Sequence, residues 1–267
     1  MKKEIYFHVG LAKTGSTFLQ KNFFPFLKDI KYISTHKYRK CIKIINNTNY
    51  KSYLISREFD RQFEKEVKIF TEHFPQTKII IIFRRHDKWI TSQYKRYVKN
   101  GWHWNFEDFY EISGNGYWKD SELLYKNKLD LIKKYTIHKP LILNFDELKI
   151  NPHNFFNKII NYTNASYKKN SISLNIVHKS FSEKQLLFLR AYCRKFKKNV
   201  PEYYVDDKLK HWLFYRPWWL YFHLIMYFSV IIPSTFFVKN PLVNKSYILK
   251  IKNKFKDDWE LIKKISD

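Results

Sequence analysis

Short apolar runs alternate along the chain with longer segments in which apolar residues recur every three or four positions. The short runs predict buried strands, and the longer periodic segments predict amphipathic helices. The predicted strands are 5–9, 52–55, 78–83 and 140–145. The predicted helices are 16–24, 57–74, 87–100, 121–135, 152–162 and 183–196. This alternation predicts an α/β fold in which a central parallel sheet is flanked by helices and joined by right-handed crossovers.

The length of 267 residues suits one domain with a substantial core, or one domain with an appendage. We expect an α/β domain over residues 1–200 and a mostly helical, aromatic-rich extension over 201–267. Within the first of these, segment 102–118 carries many aromatic residues and further glycines. We expect it to be irregular and to line the pocket for an acceptor.

The segment between the first predicted strand and helix has the composition of a phosphate-binding loop. It holds Gly10 and Gly15, two of only five glycines, and a strand, a glycine-bearing turn and a helix together aim N–H groups at an anion. The two glycines keep the spacing of the nucleotide-triphosphatase loop, but Ser16 stands where that loop has its lysine. The lysine here is Lys13. The donors that can still wrap a phosphate are those of Thr14, Gly15, Ser16 and Thr17.

This loop resembles that of the sulfotransferases that use 3′-phosphoadenosine 5′-phosphosulfate (PAPS), in particular the bacterial carbohydrate sulfotransferases. Their 5′-phosphosulfate loop follows a strand and reads roughly P-K-x-G-[ST]-[ST]. It stands in this chain as Ala12-Lys13-Thr14-Gly15-Ser16-Thr17, with Ala12 in place of the usual proline. The resemblance extends over about residues 4–198. It implies a P-loop-like fold of the PAPS sulfotransferase type, PAPS as co-substrate and no metal.

A second anion-binding segment follows the isoleucine-rich strand. In the resembled family an arginine at the end of this strand and a serine eight positions later hold the 3′-phosphate of the cofactor, and Arg84 and Ser92 have that spacing. Arg84 would lie at the carboxyl end of the strand, where open α/β sheets bind ligands. Arg85 is one position short of the spacing. The alternative for Arg84 is a surface cation beside Asp87, the predicted N-cap of the next helix.

A third segment, before the helix at 183–196, resembles a late loop that closes over the cofactor in related enzymes. The resemblance gives Lys179 or Ser180 that contact. The alternative is a purely local role, in which Ser182 caps the helix that follows.

Sulfuryl transfer from PAPS is an in-line displacement at sulfur, helped by a cation at the leaving oxygen and a base for the acceptor proton. Lys13 is the candidate cation. Glu58 is the candidate base because it follows the second strand, although Ser56 could instead cap a helix whose dipole Glu58 would favour. His8 lies within the first strand, which favours a place in the core or at a sheet edge. The other candidate bases are His36, His86 and His103.

The formal net charge is +26, with 50 Lys and Arg against 24 Asp and Glu. We interpret this excess mainly as compositional, because the lysines are scattered and no familiar nucleic-acid motif is present. Cys41 and Cys193 provide neither a disulfide framework nor a metal-ligand cluster. Because the first apolar run is the strand that leads into the phosphate loop, we expect no signal peptide. We expect a cytoplasmic protein that binds peripherally to the cytoplasmic face of the membrane.

Residues 217–238 contain no Asp, Glu, Lys or Arg, and Trp218, Trp219 and Tyr221 resemble an interfacial belt. The length is close to the roughly 20 residues of a spanning helix. A span would place lysine-rich segments on opposite sides, and Pro233 interrupts it. Contact with a membrane surface avoids both problems. Burial in the core or in an oligomer is the alternative.

Together these features predict a PAPS-dependent sulfotransferase that acts on a carbohydrate or glycolipid. A small P-loop kinase or nucleotidase is one alternative, for which Asp146 would be the magnesium ligand after the last strand. A non-catalytic protein that binds a membrane surface or an anionic polymer is another.

Overall fold

The computed structural model describes residues 3–168, 172–175, 180–197, 208–233, 235 and 241–266. Its central feature is a five-stranded parallel sheet with strand order β2-β3-β1-β4-β5. The strands are β1 Glu4–Gly10, β2 Lys31–Ile33, β3 Ser52–Glu58, β4 Lys78–Phe83 and β5 Leu141–Asn144. The first strand of the chain is therefore the middle strand of the sheet. The predicted α/β class, with a central parallel sheet between helices, is confirmed.

Helices connect the strands and form most of the rest of the described chain. They are α1 Ser16–Asn22, α2 Cys41–Asn47, α3 Phe63–His73, α4 His86–Lys99, α5 Phe106–Phe109, α6 Asp120–Leu123, α7 Tyr125–Tyr135, α8 Phe145–Ile150, α9 Pro152–Thr163, α10 Glu183–Phe196, α11 Lys208–Lys210, α12 Arg216–Phe228, α13 Lys245–Lys254 and α14 Lys256–Ser266. A π-helical turn, His211–Tyr215, joins α11 to α12, and 3₁₀ turns cover Phe24–Phe26 and Thr35–Lys40. Among the described residues, no helix is long and apolar enough to cross a membrane.

The chain divides into two compact units. The first, Met1–His86 with Ser121–His178 and Phe255–Asp267, contains the whole sheet. The second consists of Asp87–Asp120 and Lys179–Lys254. The boundary that the sequence places after residue 200 stays a prediction.

The inner strands β1 and β4 are mostly apolar without alternation because the sheet is covered there on both faces. On one face, Tyr6 of β1 belongs to a cluster with Phe155 and Phe156 of α9. On the other face, the ring of Phe7 lies 4.3 Å from that of Phe70 in α3. Two layers of helices therefore bury the middle strand from Ile5 to Gly10, which fixes the position of the loop that follows it.

Several sequence-based boundaries differ from the structure. The helix predicted from residue 57 begins at Phe63, because β3 continues through Glu58. Phe59 fits the helical spacing of the apolar residues that follow it, and this spacing predicts a helix that begins too early. In the structure, Phe59 is buried just beyond the end of β3. Segment 30–50, for which the sequence analysis lists no helix, contains α2.

Candidate active site

The loop after β1 turns sharply into α1 and depends on a glycine. Gly15 has φ +85° at the N-cap of α1, and Lys13 also has a positive φ of 69°. A Cβ on Gly15 would lie 2.8 Å from the ring of Phe145 and 2.9 Å from Leu148. Helix α8 therefore packs directly on the turn, and both the backbone conformation and the space available at Gly15 require glycine.

The hydroxyl groups of the loop have different surroundings. Thr14 is buried, and its Oγ1 donates to the carbonyl of Leu11 at 2.6 Å, which closes the loop on itself. Ser16 is also buried, with its Oγ 3.4 Å from Thr14 Oγ1. Thr17 is half-exposed in the first turn of α1, where N–H groups have no partner within the helix. Lys13 is exposed.

A buried polar group lies beneath the loop. The Nδ1 of His8 is 2.8 Å from Ser56 Oγ, which also accepts a hydrogen bond from Gln20 Nε2 at 3.0 Å. Both Gln20 and His8 therefore use the Ser56 hydroxyl, while the Nε2 of His8 has no hydrogen-bond partner among the described residues. Burial lowers the pKa of His8 to about 3. His8 thus lies in the core of the middle strand, not at a sheet edge, and it is neutral.

Asp60 holds the start of the loop, and the sequence did not single it out. The N–H of Ala12 donates to Asp60 Oδ1 at 3.1 Å. Proline, the usual residue at this position in the resembled pattern, has no N–H and could not form this bond. The replacement by Ala12 therefore adds a link from the loop to the segment that follows β3. No spacing in the sequence reveals it.

Glu58 ends the strand beside the loop. In the parallel register of β1 and β3, Glu58 lies opposite Gly10, and the N–H of Phe59 donates to the Gly10 carbonyl at 2.9 Å. The alternative in which Ser56 caps a helix is wrong, since Ser56 is buried within β3. Glu58 is half-buried at the carboxyl edge of the sheet, and its role as base stays a prediction.

Arg84 reaches the loop from the neighbouring strand. It directly follows β4, and its Nη1 donates to the carbonyl of Lys13 at 3.0 Å. The guanidinium carbon lies 5.0 Å from the ring centre of Phe145, and the hydroxyl of Tyr125 donates to the Arg84 carbonyl. Phe145 thus contacts both the glycine turn and Arg84. The sequence does not reveal this role, because Phe145 continues an apolar run and is predicted to lie in the strand, whereas it begins α8.

The remaining predicted cofactor residues belong to the second unit or lie outside the described residues. Ser92 is half-exposed, nearly two turns into α4, and Ser180 is exposed. Lys179 lies outside the described residues. Ser182 accepts from the N–H of Gln185 and caps α10, as the local alternative expected. The roles of Ser92, Lys179 and Ser180 in cofactor binding stay predictions.

The alternative bases are distributed widely. His36 is exposed and His103 is half-buried. His86 is buried, with its Nε2 3.0 Å from Asp258, and its ring stacks on Tyr125 at 4.0 Å. Hydrogen bonds to Asp258 from His86 and from two backbone N–H groups lower the pKa of that carboxyl below its ordinary value, although burial opposes them as the largest single effect. The burial, the contact with Asp258 and the ring stacking therefore favour a role of His86 in stabilising the fold.

Within the described ranges, no three His, Cys, Asp or Glu side chains converge in a way that could hold a metal ion. What the first unit does bring together is a glycine turn with buried hydroxyls, an exposed lysine, an arginine on the lysine's carbonyl and a carboxylate on the adjacent strand. This arrangement can bind an anion and place a cation and a base at the same sheet edge.

No known family model matches the chain, and no curated protein matches it in sequence. Among solved structures, the chain is similar to a sulfotransferase from Alicyclobacillus acidocaldarius, with a TM-score of 0.49 and 13% identity over 74% of this chain and 92% of that one. It is also similar to the mouse sulfotransferase SULT7A1 complexed with PAP, with a TM-score of 0.47 and 15% identity over 99% of this chain and 89% of that one.

Proposed function

We propose that this chain transfers the sulfuryl group of PAPS to a hydroxyl or amine of a carbohydrate or glycolipid acceptor. The observation that carries the proposal is the hydrogen bond from the Arg84 guanidinium to the carbonyl of Lys13 at 3.0 Å. It joins two cationic segments at the carboxyl ends of neighbouring parallel strands, where open α/β sheets bind ligands. A nucleotide with anionic groups at both its 5′ and 3′ positions suits such a pair.

In the proposed reaction, the loop from Lys13 to Thr17 holds the 5′-phosphosulfate and Arg84 holds the 3′-phosphate. The acceptor oxygen or nitrogen forms a bond to sulfur while the bond from sulfur to the bridging oxygen breaks. Lys13 neutralises the charge that develops on that oxygen, and adenosine 3′,5′-bisphosphate leaves. Glu58 takes the proton of the acceptor, and its place opposite Gly10 puts it on the same sheet edge as the loop.

A carbohydrate acceptor is favoured by aromatic rings of the second unit. In segment 102–118, the ring of Trp102 lies 4.8 Å from those of both Trp104 and Tyr117. The side chain of Trp104 remains 44% exposed. A partly exposed aromatic surface of this kind suits the apolar face of a sugar ring.

The direct test is transfer of radiolabelled sulfate from PAPS to glycan and lipid extracts by the purified chain. We expect label in a glycan or glycolipid fraction, and omission of the chain is the control. Absence of label from every fraction, with no binding of adenosine 3′,5′-bisphosphate, would reject the proposal.

A P-loop kinase is the second candidate, because Asp146 lies in the first turn of α8, just beyond β5. It predicts magnesium-dependent binding of ATP, whereas the sulfotransferase proposal predicts metal-independent binding of adenosine 3′,5′-bisphosphate. Titration of each nucleotide with and without magnesium separates the two. A non-catalytic surface-binding protein predicts neither, so its thermal unfolding would be unchanged by both nucleotides.

A further inference from the structure

A helical surface of the second unit is strongly apolar and faces solvent. Helix α11, the π turn and α12 form one helical run over residues 208–228. Its exposed side chains include a set that we term the apolar face: Leu209, Trp212, Leu213, Leu220, Leu224 and Phe228. The exposed fraction is 64% for Trp212 and 59% for Leu224. Soluble surfaces rarely show contiguous apolar patches of this kind without a partner.

The apolar face is the outer side of a helix whose inner side is already packed. Phe222 and Met226 are buried, and Gln185 of α10 donates through Nε2 to the Met226 carbonyl at 3.3 Å. A Cβ on Gly101 would lie 2.6 Å from the Phe222 ring. Leu213, Leu220 and Leu224 recur at steps of seven and four residues, so they form one stripe along the helix. Leu213, Leu220 and Leu224 are 47%, 54% and 59% exposed, so the stripe lies outside the packed side of the helix.

The chemistry of this surface matches an anionic lipid bilayer. From residue 208 to residue 233 the sequence has no Asp or Glu. The same helical run carries two exposed basic residues, Lys210 and Arg216. The ammonium of Lys197 lies 4.6 Å from the ring centre of Trp218. Leucines and tryptophans beside basic residues are characteristic of helices that lie in the headgroup region. The net charge of +26 opposes a second copy of the chain as the occupant and favours an anionic surface.

We infer that this helix docks in the plane of an anionic membrane, with the apolar face inserted between the lipid headgroups and the basic residues on lipid phosphates. The occupant is the bilayer surface itself. Binding is independent of the proposed transfer reaction, because none of these residues belongs to the phosphate loop.

The experiment measures co-sedimentation of the full chain with vesicles of phosphatidylcholine alone and with added phosphatidylglycerol. The test variant is Leu220→Glu with Leu224→Glu, which places two carboxylates on the apolar face. The matched control is Ile137→Glu with Ile150→Glu, two isoleucines of the first unit that are 69% and 83% exposed. We expect the natural chain and the control to bind the anionic vesicles, and the test variant to lose about tenfold or more in affinity.

A second measurement needs no substitution. Brominated lipids quench tryptophans that enter the bilayer, and we expect quenching of the natural chain because Trp212 lies on the apolar face. Absence of both sedimentation and quenching with anionic vesicles would overturn the inference. So would equal binding by the test variant, or a concentration-dependent dimer that the test variant abolishes while no vesicle is bound. The dimer would make the apolar face an interface between copies.

Discussion

Replacement of His8 by asparagine tests the buried polar group under the phosphate loop. Asparagine can place an amide oxygen or nitrogen near the position of Nδ1 for Ser56 but does not titrate. His8 is fully buried, and its pKa falls to about 3 because burial disfavours the charged ring. In the unfolded chain its pKa is about 6.5. The two states therefore differ in proton binding between these values.

The sign follows from proton linkage. Between about pH 3 and pH 6.5 the unfolded state binds the proton and the folded state does not, so the free energy of unfolding rises with pH. The stability contributed by the neutral ring is fully present above the unfolded pKa and is lost as the pH falls toward the folded value. At about 1.4 kcal/mol per pH unit, the shift amounts to about 5 kcal/mol as an upper bound.

The assay is urea unfolding of the natural chain and of His8→Asn at about pH 7.5 and about pH 4.5. At the higher pH we expect the variant to be less stable, because the smaller side chain packs less well. At the lower pH only the natural chain has lost the His8 contribution, so the gap should shrink by about 2–3 kcal/mol. His153→Asn, at an exposed histidine of α9, is the matched control. A gap that is the same at both pH values would refute a neutral, buried His8.

Three further changes test other parts of the account. Lys13→Ala should lower turnover by about 10²-fold or more while the affinity for adenosine 3′,5′-bisphosphate changes much less, since the contact of Lys13 with the leaving oxygen strengthens as charge develops there. Lys21→Ala on α1 is the control, and unchanged turnover in Lys13→Ala would contradict the assignment. Gly15→Ala should cost about 2 kcal/mol of stability and weaken nucleotide binding, because Gly15 has φ +85° and an added Cβ would lie 2.8 Å from Phe145 and 2.9 Å from Leu148. Gly114 also has a positive φ, +87°, so Gly114→Ala should lose stability in urea unfolding but keep its nucleotide affinity. Lys128→Met should raise stability by about 1–3 kcal/mol at neutral pH, because burial lowers the pKa of that lysine to about 8. The gain should vanish toward about pH 10.5, as the natural lysine becomes neutral in both the folded and the unfolded state. A difference in the free energy of unfolding that does not change with pH would contradict this prediction.

The position of the phosphate loop could be predicted from the sequence because its evidence is local. A buried strand, a glycine at a turn and a cluster of hydroxyls lie within a few residues of one another. Arg84 directly follows the apolar run 78–83, which clearly predicts a strand. Parallel pairing then places both strand ends at one edge, so the approach of Arg84 to the loop follows from topology.

What the sequence did not reveal depends on contacts between distant segments. Asp60 reaches Ala12 only because β3 pairs with β1, and no spacing encodes that bond. Phe145 looks like a strand residue, and only the packing of α8 on the glycine turn identifies its role. The start of α3 was misplaced for a related reason, since Phe59 is buried whether it belongs to a helix or follows a strand.

The central claim is that the glycine turn and Arg84 bind one doubly phosphorylated nucleotide. Calorimetric titration with adenosine 3′,5′-bisphosphate in the absence of metal tests it most directly, on the natural chain, on Arg84→Ala and on Arg85→Ala. The account predicts binding by the natural chain, a loss of about tenfold or more in Arg84→Ala, and a small change in Arg85→Ala. No heat of binding in the natural chain, or equal affinities in all three, would contradict it.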